Sequence, residues 1–266
     1  MAAANENSIS DVRLAVLIDG DNISHQNIKA MMEEIARYGN PTIKRIYGDW
    51  TQPNLAGWKN ILLDYAITPM QQFGYTSGKN ATDSAMIIDA MDILYSERVD
   101  GFCLVSSDSD FTRLATRLRE AGKVVYGIGE QKTPNAFIAA CDRFIYLEIL
   151  ETPVQDETPE RDSGQTGQKQ TKPQLPTRKG GFRKINREVI ALIDATISDL
   201  EDENGWAYLG EVGQLLLKKQ PSFDSRNFGF AKLTPMIKAI GRYEIDVREA
   251  PHSSSKHIYI RIKGSN

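Results

Sequence analysis

The sequence of 266 residues predicts an α/β domain built on a parallel sheet in three layers, followed by a small winged-helix (α+β) domain. Three observations carry that prediction. Between residues 12 and 150, short continuous apolar runs alternate with segments of helical period, the pattern of strands buried on both faces with helices packed over them. Residues 151–182 then nearly lack large apolar side chains. Residues 183–266 show three amphipathic helix patterns and two alternating strands.

In chain order, residues 1–11 carry no periodicity and are expected to be disordered. Leu14-Ala15-Val16-Leu17-Ile18 is the first strand, ending at Asp19-Gly20-Asp21-Asn22. Strands of the same kind are predicted over 43–47, 101–105, 124–128 and 144–147, and helices over 28–38, 83–95, 111–121 and 136–141. Strands alternating with helices require parallel pairing through right-handed crossovers. Segment 151–182 holds Pro153, Pro159, Pro173, Pro176 and Gly180-Gly181 among polar residues, a composition that cannot offset its ordering entropy and so predicts a flexible linker. Beyond it, Ile185, Val189, Leu192, Ile193, Ile197 and Leu200 trace one helix face. Leu209, Val212, Leu215 and Leu216 trace a second, and Leu233, Met236, Ile237 and Ile240 a third. Tyr243, Ile245 and Val247, then Ile258, Ile260 and Ile262, alternate with polar residues about a turn at 251–255, as in a hairpin.

Composition excludes several classes. The formal charge is −3, from 32 basic and 35 acidic side chains, so the chain is no bulk polycation. No apolar run reaches the length of a membrane span, and the start MAAANENSIS has no secretory pattern. Cys103 and Cys141, the only cysteines, are too few for a disulfide framework or for the thiolates of a four-ligand zinc site, and three histidines, His25, His252 and His257, argue against a His-rich metal site. The cytoplasm is the expected compartment. Charge is unequal between the halves: residues 11–150 carry 14 basic and 18 acidic side chains, net −4, and residues 183–266 carry 13 and 11, net +2.

In parallel sheets functional groups gather at the carboxyl ends of strands. Asp19 and Asp21 follow the first strand, and Ser106-Ser107-Asp108-Ser109-Asp110 follows the strand at 101–105. Asp83 lies at a helix start behind Thr82, a candidate cap. Asp89, six residues on, is rotated about 240° from Asp83 and cannot share its site. Single aspartates at such places are commonly turn-formers or caps. Four carboxylates brought within about 5 Å repel by roughly 3 kcal/mol per pair at an effective dielectric near 20, which a fold tolerates when a cation or protons are taken up. Oxygen ligands favour Mg2+ or Mn2+, and such ions promote phosphoryl displacement. The constellation therefore points to a metal-dependent nuclease or phosphatase.

Other motifs fail on their residues. Gly74-x-x-x-Gly78-Lys79-Asn80 is one residue short of a phosphate loop and lacks its Ser or Thr. Asp19-x-Asp21 has the spacing of haloacid-dehalogenase phosphatases but continues with Asn22, and no partner Lys is clear. No Gly-x-Gly-x-x-Gly follows the first strand.

The run Val16-Leu17-Ile18-Asp19-Gly20-Asp21-Asn22 resembles the opening strand of NYN domains, relatives of the PIN ribonucleases. Lys79-Asn80-Ala81-Thr82-Asp83 with Asp89, Val105-Ser106-Ser107-Asp108-Ser109-Asp110-Phe111, and Ala121-Gly122-Lys123-Val124-Val125 extend the resemblance, as does the tail from Thr133-Pro134 to Phe144. It covers residues 12–150 and implies a PIN-like fold and a metal-dependent RNA-cleaving site. Asp19, Asp83, Asp108 and Asp110 fall on its acidic positions and Asn22 on an Asn that helps order them. Ser107 stands where many relatives have Gly, a change expected to act on loop stiffness. Gly205-Trp206 through Leu209, then 221–229 and Lys232-Leu233, resemble the LOTUS (OST-HTH) domain over 183–262, which implies RNA binding. Arg226, Lys232, Arg248, Lys256 and Arg261 are candidate phosphate contacts there, with solvated surface charge as the alternative. Tyr47, Trp50 and Trp58 could stack on unpaired bases or pack as core; the two cysteines read as buried small hydrophobes.

The combined reading is an endoribonuclease using Mg2+ or Mn2+. A nuclease domain at 12–150 is tethered to an RNA-binding module at 183–266 that could also hold a protein partner. An RNA-binding adaptor with an idle nuclease fold is the alternative, and a phosphatase the third.

Overall fold

The computed structural model describes residues 12–73, 81–150, 183–249 and 256–264. The expected disordered start, the phosphate-loop look-alike at 74–80, the linker and the 251–255 turn lie outside them. The chain divides into two compact units, 1–151 and 152–266.

The first unit runs β1 (Arg13–Asp19), α1 (Ile28–Ile35), β2 (Asn40–Gly48), α2 (Lys59–Asp64), β3 (Thr68–Gln71), α3 (Ala81–Tyr95) and β4 (Gly101–Val105). It continues through α4 (Thr112–Glu120), β5 (Val124–Gly129), α5 (Asn135–Ala140), β6 (Arg143–Tyr146) and α6 (Leu147–Leu150). The six strands form one sheet ordered β3-β2-β1-β4-β5-β6, every pairing parallel. From β1 the chain builds outward through β2 and β3, then returns to place β4 on the other side of β1. Order therefore reverses between β1 and β4, and in open sheets of this kind ligands bind at the carboxyl ends beside that switch point.

The core explains the continuous apolar runs. Leu14 through Ile18 are inaccessible to solvent, as are Phe102, Leu104 and Val105 on β4, because helices cover both faces. Gly20 follows directly after β1. Its N–H donates to the Tyr47 carbonyl at 2.9 Å, and a Cβ there would lie 2.8 Å from that oxygen. Only glycine lets the chain turn this close to β2.

Five predicted strands and four predicted helices of this unit are present, with differences at their ends. Strand β3 was not anticipated: Thr-Pro-Met-Gln is four residues long and mostly exposed, and Pro69 is tolerated because β3 pairs on one side only. Helix α2 and the 3-10 turn Pro53–Trp58 before it have no signal in the sequence either, because six-residue elements are too short to display a period. Leu147 opens α6 rather than closing a strand. Helix α1 stops at Ile35, with Arg37 and Tyr38 folding back onto the buried Glu34 carboxylate.

The second unit comprises α7 (Arg187–Ser198), β7 (Ala207–Tyr208), α8 (Leu209–Lys219), α9 (Leu233–Ile240), β8 (Tyr243–Glu249) and β9 (Lys256–Ile262). Asn186 caps α7 by accepting from the Val189 N–H at 3.0 Å. Gly241 closes α9 at φ 71°. Ile193, Ile197, Val212, Leu216, Met236, Ile237 and Ile260 form its core. The expected three helices and hairpin are present, and two residues of β7 add a third antiparallel strand in the order β7-β9-β8.

Candidate metal centre

Asp19 is the last residue of β1 and is 1% exposed. Its Oδ2 accepts from Asn22 Nδ2 at 2.8 Å and from Ser106 Oγ at 2.7 Å. Its Oδ1 is equally buried and has no hydrogen-bond partner among the described residues. Burial raises the Asp19 pKa, which the two donors only partly offset. Asn22 is positioned by the turn that follows β1, in which the Ile23 N–H returns to the Asp19 carbonyl at 3.0 Å.

Asp108 and Asp110 come from the loop after β4. Asp108 caps the 3-10 turn Ser109–Phe111, its Oδ1 accepting from the Asp110 N–H at 2.9 Å. Asp83 enters from the first turn of α3 and is 7% exposed. One carboxylate oxygen from each of Asp83, Asp108 and Asp110 lies within 4.8 Å of the others. Burial and then the charges of Asp19, Asp108, Asp110 and Asp21 hold the Asp83 carboxyl up at about 6.

Of the four aspartates read from the sequence, three form this tight group. Asp19 lies beside it, outside the 4.8 Å set, yet is the strongest of the charges acting on Asp83. Asp89 stays out, as the helical rotation requires: Arg45 and Tyr47 both donate to its carboxylate. Burial and then Asp89 drive the Tyr47 hydroxyl pKa upward.

Thr82 is no cap. It is the second residue of α3, and its hydroxyl donates to Asp21 Oδ2 at 2.7 Å, tying the β1 loop to the helix that carries Asp83. Ser106 lies within the motif 105–111, but its residue type alone gives no signal of its role. It is fully buried, donates to Asp19 and accepts from the Asp108 N–H at 3.1 Å. One hydroxyl thus sets the position of two strand ends. Ser107 accepts from the Glu130 N–H at 2.8 Å, a bond that glycine could not supply and that ties its loop to the one after β5.

Tyr47 and Trp58 are each 1% exposed and belong to the core, so neither can stack on a base. Trp50 is partly buried, with its indole N–H on the Met70 carbonyl at 3.1 Å. Both cysteines are buried and unbridged.

On the second unit the five candidate cations differ. Arg226 is paired with Asp224 at 2.8 Å, with side chains 15% and 10% exposed, so its guanidinium is engaged within the domain. Arg248 pairs with Asp246 and lies 4.1 Å over the Tyr259 ring. Arg261 pairs with Glu244 and lies 4.7 Å over Trp206. Lys256 stands opposite Glu249 in the β8–β9 ladder. Lys232 is exposed at the start of α9.

The description "NYN domain" matches residues 13–148, just over half of the chain. The chain belongs to the NYN domain family. The description "OST-HTH/LOTUS domain" matches residues 182–254, so an NYN domain is followed by a LOTUS domain. Among solved structures, a protein of unknown function from Vibrio parahaemolyticus is similar over 50% of this chain and 91% of that one, at 21% identity and a TM-score of 0.43. An uncharacterized protein from Nitrosomonas europaea is similar over 38% and 95%, at 32% identity and a TM-score of 0.30. No curated protein matches the chain. The NYN domain is thus of nuclease type with an aspartate cluster at its sheet edge, and among the described residues no helix is long and apolar enough to cross a membrane.

Proposed function

We propose that the chain is a divalent-metal-dependent endoribonuclease whose LOTUS domain holds the RNA. The observation that carries this reading is the aspartate group itself: three carboxylates mutually within 4.8 Å beside a buried, unpartnered carboxylate oxygen of Asp19. Orphaned oxygens and crowded like charges are costly unless a cation compensates them, so the residues present fit Mg2+ or Mn2+. Asp19, Asp83, Asp108 and Asp110 would hold it. When bound, such an ion supplies a water of lowered pKa and charge stabilisation at a phosphodiester.

The chain's own residues do the rest. Asn22 and Ser106 occupy one oxygen of Asp19 and leave the other without a protein donor. The cap bond within 108–110 fixes the two loop carboxylates, and the Thr82–Asp21 bond fixes the start of α3. Residence in the cytoplasm belongs to the same proposal, supported by two buried, unbridged thiols.

The test is single-turnover cleavage of single-stranded and hairpin RNA by the full chain, with Mg2+ and with Mn2+. Cleavage should depend on metal, and Asp108→Asn should lower its rate by at least 100-fold. A parent chain that binds RNA but cleaves none with either ion would make the adaptor the correct reading.

A further inference from the structure

The first unit must hold a polyanion while carrying a net charge of −4 over residues 11–150. Most of its described cations are already occupied. Five are tied to carboxylates, two reach backbone carbonyls, and Arg143 lies over the Tyr38 ring. Lys29, Lys59, Arg98, Arg113 and Arg117 remain, all exposed.

Among these described cations, only Arg113 and Arg117 share an element with the aspartate group. The turn Ser109–Phe111 that carries Asp110 runs directly into α4. Asp110, Arg113 and Arg117 follow at spacings of three and four, so they share a stripe on that helix. Leu114, Ala115 and Leu118 are buried on the opposite face. Arg117 stands one turn, about 6 Å, beyond Arg113. A guanidinium not closed into an ion pair keeps its donors and full charge for a phosphate, which it can grip through two bonds.

We propose that Arg113 and Arg117 form a phosphate-binding track that lays a single RNA strand along α4, away from the aspartate group. This rests on the RNA-cleaving reading of that group and adds to it the path of the substrate. Two cations one helical turn apart suit consecutive charges of a single strand. Their position next to Asp110 makes these the phosphates flanking the one to be cut.

The test is fluorescence anisotropy of a labelled 12-nucleotide single-stranded RNA with the full chain in Ca2+, from 50 to 300 mM KCl. Two released phosphate contacts should flatten the log–log salt slope by about 1.4, at about 0.7 per contact for a single strand. The Arg113→Gln/Arg117→Gln double variant should show that loss and bind at least tenfold more weakly at 100 mM salt. It should keep the parent's Mg2+-induced rise in melting temperature. Lys29→Gln/Arg98→Gln, which removes two equally exposed cations elsewhere, should retain the parental slope. An unchanged slope in the first variant, or an equal loss in the second, overturns the track. If the parent cleaves no RNA while the slope is lost as described, the track stands and the nuclease reading falls. A parent that binds no RNA overturns both.

Discussion

Replacing Asp83 by Asn should stabilise the metal-free protein, although it alters a buried residue at the centre of the proposed site. Asp83 is 7% exposed and its carboxyl is held at about 6, against 3.8 for the ordinary group, by burial and by its acidic neighbours. The folded state therefore binds the Asp83 proton more tightly than the unfolded state does. Between pH 4 and 6 folding takes up a proton, so this group's contribution to stability falls as pH rises through that window. Above pH 6 the penalty is complete. A shift of about two units at 1.36 kcal/mol each sets it at about 3 kcal/mol, a ceiling because the amide must find acceptors of its own. Asn is neutral throughout and escapes the penalty. The assay is urea denaturation in chelator, followed by Trp50 and Trp58 emission in a Trp206→Phe background common to both proteins. The variant should be more stable by 1–3 kcal/mol at pH 7.5, and the difference should vanish near pH 4. With Mg2+ at about 100 times its dissociation constant the parent should gain about 2.7 kcal/mol, and the variant much less. A variant no more stable than the parent at pH 7.5 in chelator, or a difference independent of pH, would refute the electrostatic account of this cluster.

Ser106→Ala should cost about 1–3 kcal/mol, because it strips a donor from Asp19 and orphans the Asp108 N–H; it should also shrink the Mg2+-induced thermal shift, measured by calorimetry. Asp89→Ala should cost about 3 kcal/mol by leaving Arg45 and Tyr47 without their carboxylate, yet preserve that thermal shift; its loss would place Asp89 in the metal site against the helical rotation. Arg226→Gln should destabilise the LOTUS domain by about 1–3 kcal/mol, since Asp224 would lose its guanidinium partner while keeping the bond from the residue-226 backbone N–H. The salt slope of RNA binding should stay unchanged, and a flattened slope would restore Arg226 as a phosphate contact.

Much of this protein is written locally. An apolar run such as Leu14–Ile18 can be stable only under helices on both sides, so its presence already dictates a covered parallel sheet and directs attention to Asp19 at its end. Asp83 and Asp89 could be separated on the page because helical rotation is fixed by backbone geometry. Short elements were illegible for the converse reason: β3, α2 and β7 contain too few residues to show a period, and each exists because a neighbouring strand or helix supplies its partners. Thr82 looked like a cap because its residue type suits one; only the approach of the β1 loop revealed that its hydroxyl serves Asp21. Arg226 and Asp224 lie two residues apart, but that their side chains pair where little solvent reaches either depends on burial, which the sequence does not state. The same holds at the site. The sequence by itself determined which carboxylates reach the edge of the sheet. Only the tertiary structure decided that Asp83, Asp108 and Asp110 converge while Asp19 stands beside them, because their distances depend on how α3 and the β4 loop pack across the point where strand order reverses, and Ser106 sets that spacing through contacts 87 residues apart in the chain.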